Sequence, residues 1–213
     1  MICQIITILV VMAMCNVISL NCNGLSDLKK LKCIFALCND RRYDIVCLQE
    51  TFWNETFIER VRRDKVLWNG DIFYSNGSNN RQGVAIMIGN KFKGLFNLVD
   101  KDDGRFIHVQ GKIGDKTVDV YNVYAPNNVS EKYNFFLKCK DKFSIGEYVI
   151  FAGDFNTTLS PLDRASKTKH VNDKSVLALL DLMNQKQLYD IWRNRNLYSK
   201  HFSRKQIVEG FLT

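Results

Sequence analysis

An acid and an amide stand two residues apart at the end of the apolar run Val149-Ile150-Phe151-Ala152-Gly153-Asp154-Phe155-Asn156. Strand side chains alternate faces, so Asp154 and Asn156 project from the same side at the strand's end. A buried strand has no structural use for that pair, because polar groups there cost free energy unless something satisfies them. Two other apolar runs end the same way: Val17-Ile18-Ser19-Leu20 leads into Asn21-Cys22-Asn23-Gly24, and Asp44-Ile45-Val46-Cys47-Leu48 into Gln49-Glu50-Thr51. Three such strands describe a polar pocket at one rim of a sheet.

Glu50 and Asp154 are the acids that end strands in this manner. Two carboxylates at one rim repel unless a cation or donors compensate. Mg²⁺ fits, with Mn²⁺ as the alternative, since it takes hard oxygen ligands and is commonly held by one or two carboxylates plus substrate phosphate. Asn21, Asn23 and Asn156 add neutral amides that orient a water or donate to a phosphate oxygen. With a basic surface, this set points to phosphodiester hydrolysis. Each piece has a plainer counterpart: Glu50 as a helix cap at Thr51, Asn23-Gly24 as a turn dipeptide, Tyr124-Ala125-Pro126-Asn127 as a turn. Gly153-Asp154-Phe155-Asn156 is the piece least explained by folding alone.

The elements that must position these groups are legible as pattern. Leu28, Leu31, Phe35 and Cys38 fall at helical spacing with Ser26 as N-cap, and Thr56 to Val66 reads as a second amphipathic helix. Ile72 to Tyr74, Val84 to Ile88 and Phe106 to Val109 are strands, and the turn Lys112 to Lys116 feeds a strand over Val118 to Val123. Glu131 to Lys140 and Asp173 to Gln185 are helices, the latter capped by Asn172 or Asp173; Leu188 to Trp192 and the tail have no clear period. Hairpins mixed with helices predict an α/β protein with mixed sheets and helices on their outer faces.

The 213 residues carry 46% hydrophobic and 12% aromatic side chains, two prolines and no Gly/Ser-rich linker, so residues 1–213 are expected to form one domain. The net charge is +8, and from Ser160 onward ten Lys/Arg face five Asp/Glu. Such a surface suits a polyanion, because phosphate contacts release counterions. The seven cysteines include no C-x-x-C pair, which argues against structural zinc; Cys33 and Cys47 read as small core residues, and the odd number suits a reducing compartment. A nuclear or cytoplasmic location follows. Ile5 to Met14 is apolar but lacks a preceding Lys or Arg, so residues 1–10 are expected to extend the first strand upstream; a signal segment and secretion are the alternative, and no membrane association is expected otherwise.

The motifs Ser19-Leu20-Asn21-Cys22-Asn23-Gly24-Leu25, Leu48-Gln49-Glu50-Thr51, Asn122-Val123-Tyr124-Ala125-Pro126-Asn127, Gly153-Asp154-Phe155-Asn156 and Leu162-Asp163-Arg164 occur in one order. That ordered set resembles the endonuclease/exonuclease/phosphatase superfamily, and most closely the AP-endonuclease-like domain of LINE-type retrotransposons. The resemblance implies a four-layered α/β sandwich with the site at the shared rim of two mixed sheets. It implies Mg²⁺-dependent nicking of DNA that leaves a 3′-hydroxyl able to prime reverse transcription, with no stable protein partner. By motif, Glu50 is the metal ligand, and Asn23, where repair-type AP endonucleases carry Asp, contributes more weakly. Asp154 orients or deprotonates the attacking water, Asn156 holds nucleophile and phosphate, Asn21 lies beside the metal and Tyr124 contacts the phosphate. Asn127 and Arg164 face the DNA.

The family pattern continues with S-R-x-D and S-D-H motifs, whereas this sequence ends at Gly210-Phe211-Leu212-Thr213; the resemblance therefore implies a sandwich incomplete at its C-terminal end and impaired catalysis. His108, His170 and His201 match neither motif. Losing a general acid or base typically costs about 10²–10⁴-fold in rate. The alternatives are a non-catalytic, basic nucleic-acid-binding remnant and another phosphoesterase of the same superfamily.

Overall fold

The structure, a computed structural model, describes residues 5–7, 15–64, 67–78, 81–143, 148–163, 170–199, 207–208 and 211–212. The chain runs through β1 (Ile5–Thr7), β2 (Val17–Asn21), α1 (Leu28–Asp40), β3 (Ile45–Gln49), α2 (Glu55–Arg63), β4 (Asp71–Ser75) and β5 (Val84–Ile88). It continues with β6 (Phe96–Asp102), β7 (Phe106–Ile113), β8 (Lys116–Tyr124), α3 (Val129–Lys142) and β9 (Tyr148–Asp154). Last come α4 (Lys174–Gln185), β10 (Tyr189–Asp190), α5 (Ile191–Arg195) and a short pair, β11 (Ile207–Val208) with β12 (Phe211–Leu212).

The strands form two mixed sheets, in the orders β2-β3-β5-β4 and β10-β1-β9-β8-β7-β6. Each contains one parallel pair, β2 with β3 and β8 with β9, and the helix between each pair is its crossover, α1 in one case and α3 in the other. Parallel neighbours need such a connection, and it brings both C-terminal strand ends to the same rim. Asn21 is in register with Gln49, and Tyr124 with Asp154.

Period-two alternation sorts the side chains into layers. Val17, Ile45, Cys47, Val84, Ile86 and Ile88 of the smaller sheet pack against Ile107, Val109, Val118, Val120, Ile150 and Ala152 of the larger. The opposite face of the smaller sheet (Ile18, Leu20, Val46, Leu48, Ala85 and Met87) packs on Leu31, Phe35 and Cys38 of α1 and Ile58 and Val61 of α2. The opposite face of the larger sheet, including Tyr121, Val123 and Phe151, packs on Phe136 and Cys139 of α3 and Leu179, Leu182 and Met183 of α4. This is the expected four-layered α/β sandwich.

Several boundaries differ from the sequence reading. Asp27, not Ser26, caps α1, accepting from the Lys29 and Lys30 amides. Asn54 caps α2, which ends at Arg63, and Asn128 caps α3, which begins at Val129, two residues before the expected start. Of residues 1–10, the described Ile5–Thr7 does not extend the first strand: as β1 it pairs antiparallel with β9 and β10 in the larger sheet, while β2 belongs to the smaller. β6 was not anticipated; it is an edge strand whose middle residues face solvent, so it lacks the alternation that marks a half-buried strand. Cys33 is exposed and Cys47 is fully buried. Among the described residues, no helix is long and apolar enough to cross a membrane.

Candidate active site

A polar layer between the sheets supports the rim. Asn122 of β8 is fully buried, and its Nδ2 donates to the Leu48 and Ala85 carbonyls, 2.8 Å each. Its Oδ1 accepts from Gln49 Nε2 at 2.6 Å, and the same Gln49 nitrogen lies 3.1 Å from Ser19 Oγ. Buried amides are stable only when bonded in this way. The network ties the end of β3 to the opposite sheet and fixes where the chain leaves β3.

Above that layer the strand ends converge. Asn21 Nδ2 donates to Glu50 Oε1 and to Asp154 Oδ2, 2.7 Å each, so one amide bridges carboxylates from the two sheets. Its Oδ1 accepts from the Asn23 amide at 2.9 Å. The Asn156 amide donates to the other Asp154 oxygen at 3.0 Å, and Asn156 Nδ2 donates to the Ala125 carbonyl at 2.7 Å. Asn23, Glu50 and Asn156 all adopt left-handed backbone, with φ of 46°, 52° and 47°. Asn tolerates this region; Glu does so at a cost of about 1–2 kcal/mol, and such outliers cluster at functional sites.

Gly153 owes its identity to the sheet rather than to chemistry. Its φ is +149°, and a Cβ there would lie 2.2 Å from the Val123 carbonyl of the neighbouring parallel strand. The glycine lets β9 pass close to β8 just before Asp154 emerges.

Tyr124 closes the other side. Burial pushes its phenol up to about 12, reinforced by the nearby Glu50 carboxylate. Arg105 opposes this: its guanidinium lies 5.0 Å from the ring centre and donates to the Tyr124 carbonyl at 3.0 Å. Burial also lowers the Lys132 ammonium, while Asp173 and Asp154 pull it back up.

Of the residues expected from sequence, the structure brings Asn21, Glu50, Tyr124, Asp154 and Asn156 together. Asn23 is exposed and enters the hydrogen-bond pattern of the described residues through its backbone. Asn127 is exposed beside the cap of α3, and Arg164 lies outside the described residues. Glu50 caps no helix. The sequence reading passed over Asn122, Arg105, Lys30 and Lys132. Lys30 Nζ donates to the Cys22 and Asn23 carbonyls at 2.5 and 3.1 Å, tying α1 to the turn after Asn21. The signal for Asn122 was an amide in step with Val118 and Val120 on a strand's inward face; that for Lys132 was a lysine in step with Phe136 and Cys139 on a buried helix face. His108 is structural, buried 2.7 Å from Asp119 and stacked on Tyr121.

The donor set suits a hard divalent cation: two carboxylates from different strands share one amide, so their near oxygens lie no farther apart than twice that bond length. Among the described residues no three His, Cys, Asp or Glu side chains group to enclose a metal. A cation here would therefore draw its remaining ligands from amide oxygens, water or substrate, as Mg²⁺ commonly does.

A four-layered sandwich with two carboxylates and two amides converging at the joint rim of its sheets defines a phosphoester hydrolase of the nuclease and phosphatase type. The chain belongs to the Endonuclease/Exonuclease/phosphatase family, whose model matches residues 18–207. It is 25% identical over 202 residues to the "Transposon TX1 uncharacterized 149 kDa protein" of Xenopus laevis, covering 93% of this chain but 15% of that protein. In fold it is similar to an AP endonuclease from Archaeoglobus fulgidus (TM-score 0.69, 19% identity, 92% of this chain and 80% of that one). It is likewise similar to the AP endonuclease LMAP from Leishmania major (TM-score 0.69, 16% identity, 94% and 72%).

Proposed function

We propose that this chain is a Mg²⁺-dependent DNA endonuclease domain that nicks one strand, of the kind mobile elements use to prime reverse transcription. The observation that carries the reading is the Asn21 amide held 2.7 Å from both Glu50 and Asp154 across the two sheets. Support for DNA as substrate comes from the +8 net charge, the AP-endonuclease fold and the transposon relative. Mn²⁺ is the alternative ion.

In this reading Glu50 and Asp154 would hold the cation, which when bound would supply Lewis-acid stabilisation of the phosphate's developing charge. Asp154, on the side away from Asn21, accepts the proton of the attacking water, and its bond from the Asn156 amide keeps that oxygen aimed. Asn156 and Tyr124 donate toward the phosphate; the raised phenol pKa keeps Tyr124 a neutral donor at physiological pH. Asn127 and Arg164 are assigned to the DNA-facing side on motif alone.

The test is nicking of supercoiled plasmid by the purified chain with Mg²⁺ and with EDTA, beside Asp154→Ala and Glu50→Gln. Relaxed circles from the unmodified chain with Mg²⁺ alone are expected. Equal background from all samples would defeat the enzymatic reading, and salt-dependent DNA binding that survives both substitutions would then favour a binding remnant.

A further inference from the structure

Among the described residues, Lys132 is a buried cation beside this site. It lies on the inward face of α3 with Phe136 and Cys139, and is 5% exposed. Lysine is almost never buried without a partner, and an apolar side chain would fill this helix face at no desolvation cost. Its Nζ reaches past the packing layer and donates to the Asn156 carbonyl at 2.5 Å. It also lies in the field of Asp154 and of Asp173, the residue that caps α4. One ammonium thus joins α3, the start of α4 and the turn that follows β9.

That turn is left-handed at Asn156, and its remaining polar groups are tied: the amide to Asp154, Nδ2 to Ala125, the carbonyl to Lys132. Among the described residues, Oδ1 and the second Nδ2 hydrogen are the polar groups of Asn156 left to meet a ligand. Remove the ammonium and the carbonyl loses a charge-assisted bond, which is about twice as strong as a neutral one.

We propose that Lys132 is the positioning residue of the site, its buried ammonium holding the Asp154–Asn156 turn in the one geometry that serves the reaction. The proposal rests on the nuclease reading for its kinetic consequence, though not for its structural one. Lys132 touches neither the water nor the phosphate. Its effect is through the orientation of Asn156 and, by the Asn156 amide, of Asp154. Misplacement of a reacting group by about 1 Å is enough to cost 10²-fold in rate.

The test compares Lys132→Met, Lys132→Gln and Lys132→Arg with the unmodified chain, and with Lys140→Met, which removes a surface pair to Asp181. Nicking kinetics are read with the amide-exchange protection of Asn156 in ¹H–¹⁵N spectra. For Lys132→Met we expect kcat to fall about 10²-fold with KM within about threefold, and Asn156 protection to fall about tenfold. Lys132→Arg should return kcat to within about tenfold and restore protection, since it keeps the charge. A Lys132→Met protein with unaltered Asn156 protection, or with kcat within threefold of the unmodified chain, overturns the proposal. If Lys132→Met fails to fold, Lys132→Gln gives the same two readings. If the unmodified chain does not nick, the nuclease reading fails and Asn156 protection alone decides the role of Lys132.

Discussion

Replacing Asn21 by alanine removes the donor that two carboxylates share. Both bonds measure 2.7 Å, and both acceptors are half-exposed. Hydrogen bonds to charged groups contribute about 1.5–3 kcal/mol each when protected; partial exposure discounts these to about 1 kcal/mol each, about 2 kcal/mol for the pair. The carboxylates then face each other at no more than twice that bond length. In an effective dielectric of about 20 their repulsion is about 3 kcal/mol, most of which rotation and water relieve. A net loss of about 3 kcal/mol lowers Tm by roughly 6–12 °C for a domain of this size. The assay is thermal melting of both proteins in EDTA and in excess Mg²⁺. Because a divalent cation replaces the missing positive end of the amide dipole, Mg²⁺ should raise Tm more in Asn21→Ala than in the unmodified chain. A drop under 2 °C in EDTA, or the same drop with and without Mg²⁺, would refute the reasoning.

Other substitutions probe the frame around that bridge. Asp154→Ala and Glu50→Gln should each lower nicking at least about 10³-fold while leaving DNA affinity in EDTA within a few-fold, read by gel mobility alongside plasmid relaxation. Asn122→Leu strands two carbonyls and a Gln49 N–H, and should cost about 3–5 kcal/mol in urea denaturation. Gly153→Ala drives a methyl into the Val123 carbonyl and should cost more than about 3 kcal/mol, with no compensating gain in any buffer. The Tyr124 phenol is raised from 10.0 to about 12 in the folded chain, so the stability it contributes is complete below pH 10 and disappears as pH rises through 12. Tyr124→Phe should therefore flatten the alkaline decline of stability between those limits, measured by urea midpoints across pH.

The parts of this molecule that folding physics writes locally were readable in the chain. Strands ending in Asn21, Gln49 and Asp154 were visible because an apolar run stopping at an amide or acid has no packing rationale. Helix α4 was visible because its stripe and its Asp173 cap agree. What escaped depended on tertiary placement. β6 lies at an edge with solvent on its middle residues, so burial never imposed a period on it. β1 crosses to the other sheet because its partners, β9 and β10, lie far along the sequence. Lys132 carries no visible role in the chain, since its step with Phe136 and Cys139 marks an inward face but only the fold reveals that the Asn156 carbonyl waits there. Asn122 sat inside a quoted motif without a role, because its partners belong to a sheet that pattern alone cannot align with it.

Half of the reaction centre grows from each sheet: Asn21 and Glu50 from one, Tyr124, Asp154 and Asn156 from the other. The centre is thus a seam, and it exists only while the two slabs stay bolted in one alignment. Heating or denaturant should extinguish turnover in step with global melting rather than before it, because no smaller unit carries the whole machinery. In the proposed nuclease, adaptation to new target sequences is then confined to the loops above the seam, where change leaves the bolts untouched.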